Sequence, residues 1–511
     1  MSLLDDVSIV VTPNGYKAGE LYAVIPVPTE GAEEVTNGDF ATDSDWTKGT
    51  GWTISGGSAN SDGANSFSSL SQASVLTIGK RYKLIVDINL TSGQLRIQEG
   101  GTILETYTTT GANTAIYYFI ATATNITFKT SVTPFNGSID NVSVKEYTAA
   151  DMDVTRATDA TRVDENGLVA DVLSNVPRID YTGGGCPHIL AEPQRTNLVT
   201  YSEVYGSGTF FSGTLDSVID NTTRISPSGD ANATQVTSTG QGKVQSVALS
   251  LTQNTDYTLS FYAKNVDGTL VSSRVLGLGG SGGSNLTSVS YISELSTTEW
   301  TRITHSFNTG TNTTIYVYLS SSLNSGGTIQ LWGAQLEVGS YATSYIPTSG
   351  STVTRNQDIF TRDGIGSLIN STEGVLFAEI AALSDDLTRR KITISDGTSS
   401  NFCSLYFDSI SNKIIGRTTV GGVLQSFLST SSYTEINFNK IAIKWKENDF
   451  ALWVNGTEVG VDSSGVTWGS GVLTEISLDN GVGGESFYGK VKQLQVYDTA
   501  LTDDTIALLT S

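Results

Sequence analysis

Asn254-Thr255-Asp256-Tyr257-Thr258-Leu259-Ser260-Phe261-Tyr262-Ala263-Lys264 is the stretch on which the fold turns. It reads as a β-strand, rich in the aromatic and β-branched residues that suit a pleated, half-buried surface. It also repeats an earlier stretch, residues 80–88, which contains Tyr82-Lys83-Leu84-Ile85-Val86-Asp87-Ile88. Around the earlier stretch stand strands at residues 94–98 and 116–121 and a closing run, Gly137-Ser138-Ile139-Asp140-Asn141-Val142-Ser143-Val144. Around the later one stand Glu299-Trp300-Thr301-Arg302-Ile303-Thr304, residues 315–319 and a closing run at 329–339. Self-similarity of this kind must be recognised before a fold is argued. The chain holds two diverged copies of one all-β plan.

Composition agrees. Only 16% of the 511 residues are charged, against roughly 25% in an average soluble protein. The aromatic content, 21 Tyr, 17 Phe and 7 Trp, is enough for several cores. Length alone suggests about three to four domains. The balance of 29 Lys and Arg against 51 Asp and Glu gives a net charge of −22. A nucleic-acid backbone is repelled by such a surface, and no basic cluster offsets it. No apolar run approaches the ~18 residues of a membrane span. Two histidines, His188 and His305, leave almost nothing from which to build a histidine triad or a zinc site. Cys186 and Cys403 lie in unrelated contexts and are expected to be unpaired, as in a protein made in a reducing compartment. The N-terminus, Met1-Ser2-Leu3-Leu4-Asp5-Asp6, lacks the basic and apolar regions of a secretory signal.

Four domains are expected. Residues 1–28, with an Asn14-Gly15 hairpin signal and a break at Pro26-Val27-Pro28, join residues 150–194 in a discontinuous N-terminal attachment domain. Residues 35–147 are expected to form the first all-β copy, inserted into it. Residues 195–350 form the second, with residues 276–285 as a Gly/Ser loop. Residues 358–511 form a terminal sandwich, closed by Gly489-Lys490-Val491-Lys492-Gln493-Leu494-Gln495-Val496-Tyr497 and a short helix capped by Thr502.

The opening Thr36-Asn37-Gly38-Asp39-Phe40 and closing 137–144 segments of the first copy are similar to jelly-roll carbohydrate-binding modules of the xylan- and glucan-binding kind. The resemblance implies that both copies are jelly rolls whose first and last strands pair, and a domain whose ends meet can be inserted without disturbing its host. The terminal module, through Phe450-Ala451-Leu452-Trp453-Val454-Asn455-Gly456 and its last strand, resembles a laminin-G or concanavalin-A-like sandwich. Between the copies lies Thr155-Arg156-Ala157-Thr158-Asp159-Ala160-Thr161-Arg162, followed by Val176-Pro177-Arg178 and Glu192-Pro193-Gln194-Arg195. This succession resembles a segment of tailed-phage head- and tail-fibre proteins. The fold class that follows is all-β, with several β-sandwich domains in series.

Exposed indoles stack on the apolar faces of sugar rings. Trp46, Trp52 and Trp468, with Tyr488, are the ligand-binding candidates, although the jelly-roll family commonly uses one early Trp as a core plug. Trp300, Trp332, Trp445 and Trp453 sit inside alternating strands and are assigned to cores. The resemblances also imply calcium, a hard ion that takes oxygen ligands. Asp39, Asp140 and Asn141 would tie the first and last strands of the first jelly roll, and Asp479 would serve a rim site in the sandwich. No cofactor is required. Arg156, Arg162, Arg178 and Arg195 are expected to pair with the many acids, within the chain or between subunits. No acidic residue sits in a catalytic motif, so no enzyme is expected.

The resemblances together imply a structural virion protein, a fibre, spike or decoration of a tailed phage. It would be homotrimeric and held to other virion proteins through its N-terminal segment, made in the host cytoplasm and released by lysis. Its partners would be host or environmental glycans. The alternatives are a bacterial adhesin and, further off, a glycan-depolymerising tail enzyme.

Overall fold

The computed structural model describes residues 7–13, 29–78, 80–148, 152–205, 210–214, 217–238, 243–266, 275–280, 285–321 and 327–511. The expected hairpin at Asn14-Gly15 and the break at Pro26-Val27-Pro28 lie outside them. The chain divides into two compact units, one of residues 26–151 and one of residues 1–25 with 152–511. Among the described residues nearly every element is a strand, and a short α-helix, Asp503–Thr510, stands near the C-terminus.

The smaller unit is a jelly roll of two antiparallel sheets. One sheet runs in the order Gly111–Ile120, Arg81–Ser92, Asn136–Thr148, Ala59–Asp62, Trp52–Ile54, with Thr29–Glu33 also on Asn136–Thr148. The other runs Thr47–Lys48, Ser69–Gln72, Ile126–Thr130, Leu95–Glu99, Thr102–Tyr107. Tyr82, Leu84, Val86, Ile88 and Leu90 alternate into the core, while Asp87 and Asn89 face away from it.

Within the larger unit, the second jelly roll repeats this order strand for strand. Its first sheet reads Thr301–Asn308, Asp256–Asn265, Gly327–Val338, Ala233–Ser238, Ser217–Arg224. Its second holds Phe211–Thr214, Lys243–Ser246, Thr314–Ser321, Val275–Gly280 and Asn285–Ser290. The repeat extends to single bonds. Tyr82 Oη accepts from Thr77 N at 2.9 Å, and Tyr257 Oη accepts from Thr252 N at 3.1 Å. One expectation needs correcting here. Residues 276–285 are not simply a Gly/Ser loop, because 275–280 and 285–290 pair as an antiparallel hairpin. Glycine weakens a strand without forbidding it.

The third body of strands is a large sandwich, and it is assembled from all over the chain. Its eight-stranded sheet runs Arg178–Asp180, His188–Ala191, Gly489–Tyr497, Glu373–Ala382, Asn439–Lys446, Phe450–Val454, Thr457–Asp462, with Val7–Val11 on Gly489–Tyr497. The facing sheet runs Asp153–Thr155, Ile359–Arg362, Glu475–Ser477, Arg390–Ser395, Phe402–Phe407, Ile414–Val420, Val423–Thr430. Ile9 and Val11 lie in the same core as Ile189, Leu376, Trp445 and Val496. Residues 7–11 and 152–191, expected as an attachment domain of their own, thus supply strands to the C-terminal sandwich. Each is too short to bury an apolar face alone, and the sandwich's sheets offer the missing partner. The helix follows the last strand as expected. Thr502 caps it by accepting from Thr505 N, Asp503 and Asp504 occupy its positive end, and Ile506 packs with Val375, Phe377 and Trp453.

Where the second jelly roll leaves and rejoins the sandwich, five charged side chains are buried together. Asp358 receives Arg156 Nη1 at 2.8 Å and also Arg178 Nη2. Glu192 Oε2 receives Arg178 Nη1 and Arg355 Nη1, both at 2.6 Å, and Ser344 Oγ at 2.7 Å. Burial opposes the charge on Glu192, but Arg355 and Arg178 outweigh it and hold the carboxyl well below the usual range. Arg195 and Arg162 pair more loosely, with Glu337 at 3.7 Å and Glu165 at 3.9 Å.

Candidate functional site

The two jelly rolls carry a concavity at the same place in the fold. In the first, Asp87 lies between Thr114 and Asp140 on neighbouring strands. In the second, Tyr262 lies between Arg302 and Trp332. Both closing strands bulge just beyond that position, with a left-handed residue, Asn141 (φ 49°) or Gly333 (φ 65°). Bulges re-aim neighbouring side chains and recur beside binding sites. At Gly333 the missing side chain matters, since a Cβ would come within 3.3 Å of both Tyr262 and Tyr345.

The chemistry at this shared position differs. The first jelly roll has a polar hollow of about 320 Å³, lined by Asp87, Asn89, Asn113, Thr114, Ser138 and Asp140 among others. Asp87 accepts from Thr114 Oγ1 at 2.5 Å and Asn141 Nδ2 at 2.8 Å, and these bonds hold its carboxyl below the ordinary range. Such a surface offers acceptors and amides to hydroxyl groups. The second has a cleft of about 620 Å³, within the range of about 300–1,000 Å³ typical of small-ligand sites. Trp300, Tyr262 and Arg302 form part of its lining. The Arg302 guanidinium lies 5.6 Å from the Tyr262 ring centroid, and its Nη2 donates to Ser260 Oγ at 3.0 Å and Thr343 O at 2.6 Å. Its Nε is buried with no acceptor among the described residues. Trp300 Nε1 donates to Ile225 O at 3.2 Å, which fixes the indole plane. Burial pushes the Tyr262 hydroxyl up, although Arg302 opposes the shift.

The residues expected to bind ligand lie elsewhere. Trp46, Trp52 and Trp468 are 6, 4 and 3% exposed. Trp46 packs on Phe40 and Phe128, Trp52 stacks on Phe135, and Trp468 donates to Thr419 O within the sandwich. With no ring face open, all three are core residues. Tyr488 is half-buried and donates to Gln357 Oε1 at 2.6 Å. Of the calcium candidates, Asp39 is exposed and accepts from Ala41 N at 3.3 Å. Asp140 accepts from Asn141 N at 2.7 Å, and the Asn141 amide is spent on Asp87. Asp479 is buried, accepting from Ser477 Oγ at 2.8 Å and Gly481 N at 2.6 Å. Among the described residues, no group of three or more His, Cys, Asp or Glu side chains gathers to hold a metal.

Trp300 was assigned to a core and instead lines the cleft. Trp332, Trp445 and Trp453 are core as expected.

A carbohydrate binding domain family matches residues 205–326, and the concanavalin A-like lectin/glucanases superfamily matches residues 381–507. The chain therefore carries a carbohydrate-binding-module-like domain and a laminin-G or concanavalin-A-like domain. No curated protein matches it. Solved structures similar to it include the Ruminococcus gnavus IT-sialidase CBM40 bound to α2,3-sialyllactose (18% identity, TM-score 0.25, 27% of this chain and 83% of that one). The tandem CBM22-1–CBM22-2 of Paenibacillus barcinonensis Xyn10C is another (9% identity, TM-score 0.23, 60% and 98%). Domains LG4-5 of the mouse laminin α1 chain are a third (11% identity, TM-score 0.21, 52% and 89%).

Proposed function

We propose that this protein is a non-enzymatic virion appendage of a tailed phage that attaches to host or environmental glycans through its jelly rolls. The observation that carries the glycan reading is the pair of concavities at one register in two copies of one fold. One is built of hydroxyl-binding amides and carboxylates, the other of aromatic and guanidinium groups. A carbohydrate needs both kinds of contact, stacking for its apolar ring face and hydrogen bonds for its hydroxyls. The virion reading is supported by the resemblance of the segment at 155–198 to phage fibre proteins. In this reading the protein is a homotrimer, so that weak single sites gain roughly 10²–10⁴-fold in avidity. Calcium, if the virion protein holds any, is structural and is not needed at either concavity.

Adsorption tests the first half. Fluorescently labelled full-length protein should coat receptor-bearing cells, and Trp300→Ala should remove most of the signal without altering thermal unfolding. Coating unchanged by Trp300→Ala and by Asp87→Ala together would refute glycan attachment through these sites. For the second half, antibody against the protein should decorate purified phage particles in electron micrographs. Bare particles from a lysate that contains the protein would refute the virion assignment.

A further inference from the structure

The two concavities share a register but not an enclosure. Every lining residue of the first belongs to three adjacent strands of its own sheet, so among the described residues of that unit no other segment walls it. The second is bounded by segments from outside its sheet. The hairpin of Ala160–Val163 and Val169–Val172 contributes Arg162, Asp164 and Glu165, and Val169 packs in one cluster with Trp332 and Tyr345, with Tyr262 and Trp300 against it. A further wall comes from Tyr181 and Gly183–Gly185, and the sandwich itself contributes Leu383 and Lys490. The hairpin is pinned there, because Thr161 Oγ1 donates to Tyr345 O at 2.5 Å and Val163 N donates to Asp180 at 2.8 Å.

Resting on the glycan reading above, we propose that the second cleft receives the end of a glycan chain, whereas the first face accepts internal stretches. A polymer lying across the first sheet meets no wall from the described residues of that unit. One entering the second meets Trp300 and Tyr262 beneath it and the hairpin and the 181–185 loop beside it, so only a terminus fits. The segments that confer this selectivity belong to the sandwich and the linker, outside the jelly roll whose sheet forms the floor.

The test is a glycan array on which each terminal unit is printed both exposed and capped by a further sugar. It is probed with full-length wild type and Trp300→Ala. The expected result is signal on exposed termini that falls about tenfold or more with Trp300→Ala, and no Trp300-dependent signal on the capped partners. Equal Trp300-dependent binding to capped and exposed forms would overturn end recognition and leave the glycan reading intact. A folded Trp300→Ala protein that binds every glycan like wild type would overturn the glycan reading of this cleft itself. Should Trp300→Ala unfold, competition on wild type decides. Free short oligosaccharides carrying the terminus must displace the array-bound protein from the exposed form, and displacement by their capped counterparts alike would overturn the proposal.

Discussion

Replacing Glu192 with Gln should destabilise the larger unit while leaving the inserted jelly roll untouched. The carboxylate accepts four hydrogen bonds, from Arg178, Arg355 and both Ser344 Oγ and Ser344 N, and is 3% exposed. With Asp358 it balances Arg156, Arg178 and Arg355, so the group carries one excess positive charge. The substitution raises that excess to two. It also turns an amide donor toward guanidinium donors. Breaking one partner out of a buried ion cluster costs about 3–5 kcal/mol, because the remaining charges are left uncompensated. A domain of about 150–250 residues shifts by about 2–4 °C per kcal/mol, so a unit larger than that should lose several degrees. Calorimetry suits the measurement, since the jelly roll of residues 26–151 has its own core and supplies an internal reference transition. Glu165→Gln, on an exposed pair, is the control and should shift almost nothing. A Glu192→Gln shift no larger than that control would refute the reasoning, as would both transitions moving together.

Trp52→Ala should unfold the first jelly roll or cost it about 3–5 kcal/mol, read as loss of its calorimetric transition; an unchanged transition would return Trp52 to the ligand candidates. Thiol titration of the native protein should find one reactive group, exposed Cys186, while Cys403 is buried with its thiol pushed up to about 12; denaturation without reductant should reveal both. His188 gives a pH signature. Burial, aided by Lys490 and Lys492 and opposed by Asp180 and Glu192, lowers its pKa to about 4. The unfolded chain then takes up a proton below about 6.5 that the folded one refuses. Its contribution is therefore complete above that pH and is lost as pH falls toward 4. His188→Gln should flatten urea midpoints across that window, and an unchanged slope would count against it.

Fold class was legible because alternation and repetition are local. The cleft was partly legible too. Ile303 and Phe307 face the core, so Trp300 and Arg302 fall on the opposite parity, together with Thr304 and Ser306; strand membership alone had sent Trp300 to the core. Tyr262 shares its parity with Thr258 and Ser260 in the same way. The tryptophans chosen instead stood in Gly- and Ser-rich sequence, which marks turns but says nothing of which way an indole points. The N-terminal hairpin signal could be read, but the pairing of Val7–Val11 with Gly489–Tyr497 could not, because pairing across the whole chain leaves no neighbouring residue as a signal. The walls of the second cleft were hidden for the same reason.

That pairing orders events during synthesis. Ser8 Oγ donates to the carbonyl of Val496, 488 residues away, within the strand pair that closes the sandwich. At about 5–20 residues per second, the ribosome needs roughly 25–100 s to travel between those two positions. Both jelly rolls emerge complete in that interval and can fold as units, while Val7–Val11 waits without its partner strand. A waiting edge can pair with another chain's Gly489–Tyr497 as readily as with its own. The same gap in time that leaves a nascent chain exposed to aggregation therefore offers neighbouring chains on one message a route to exchange their first strands.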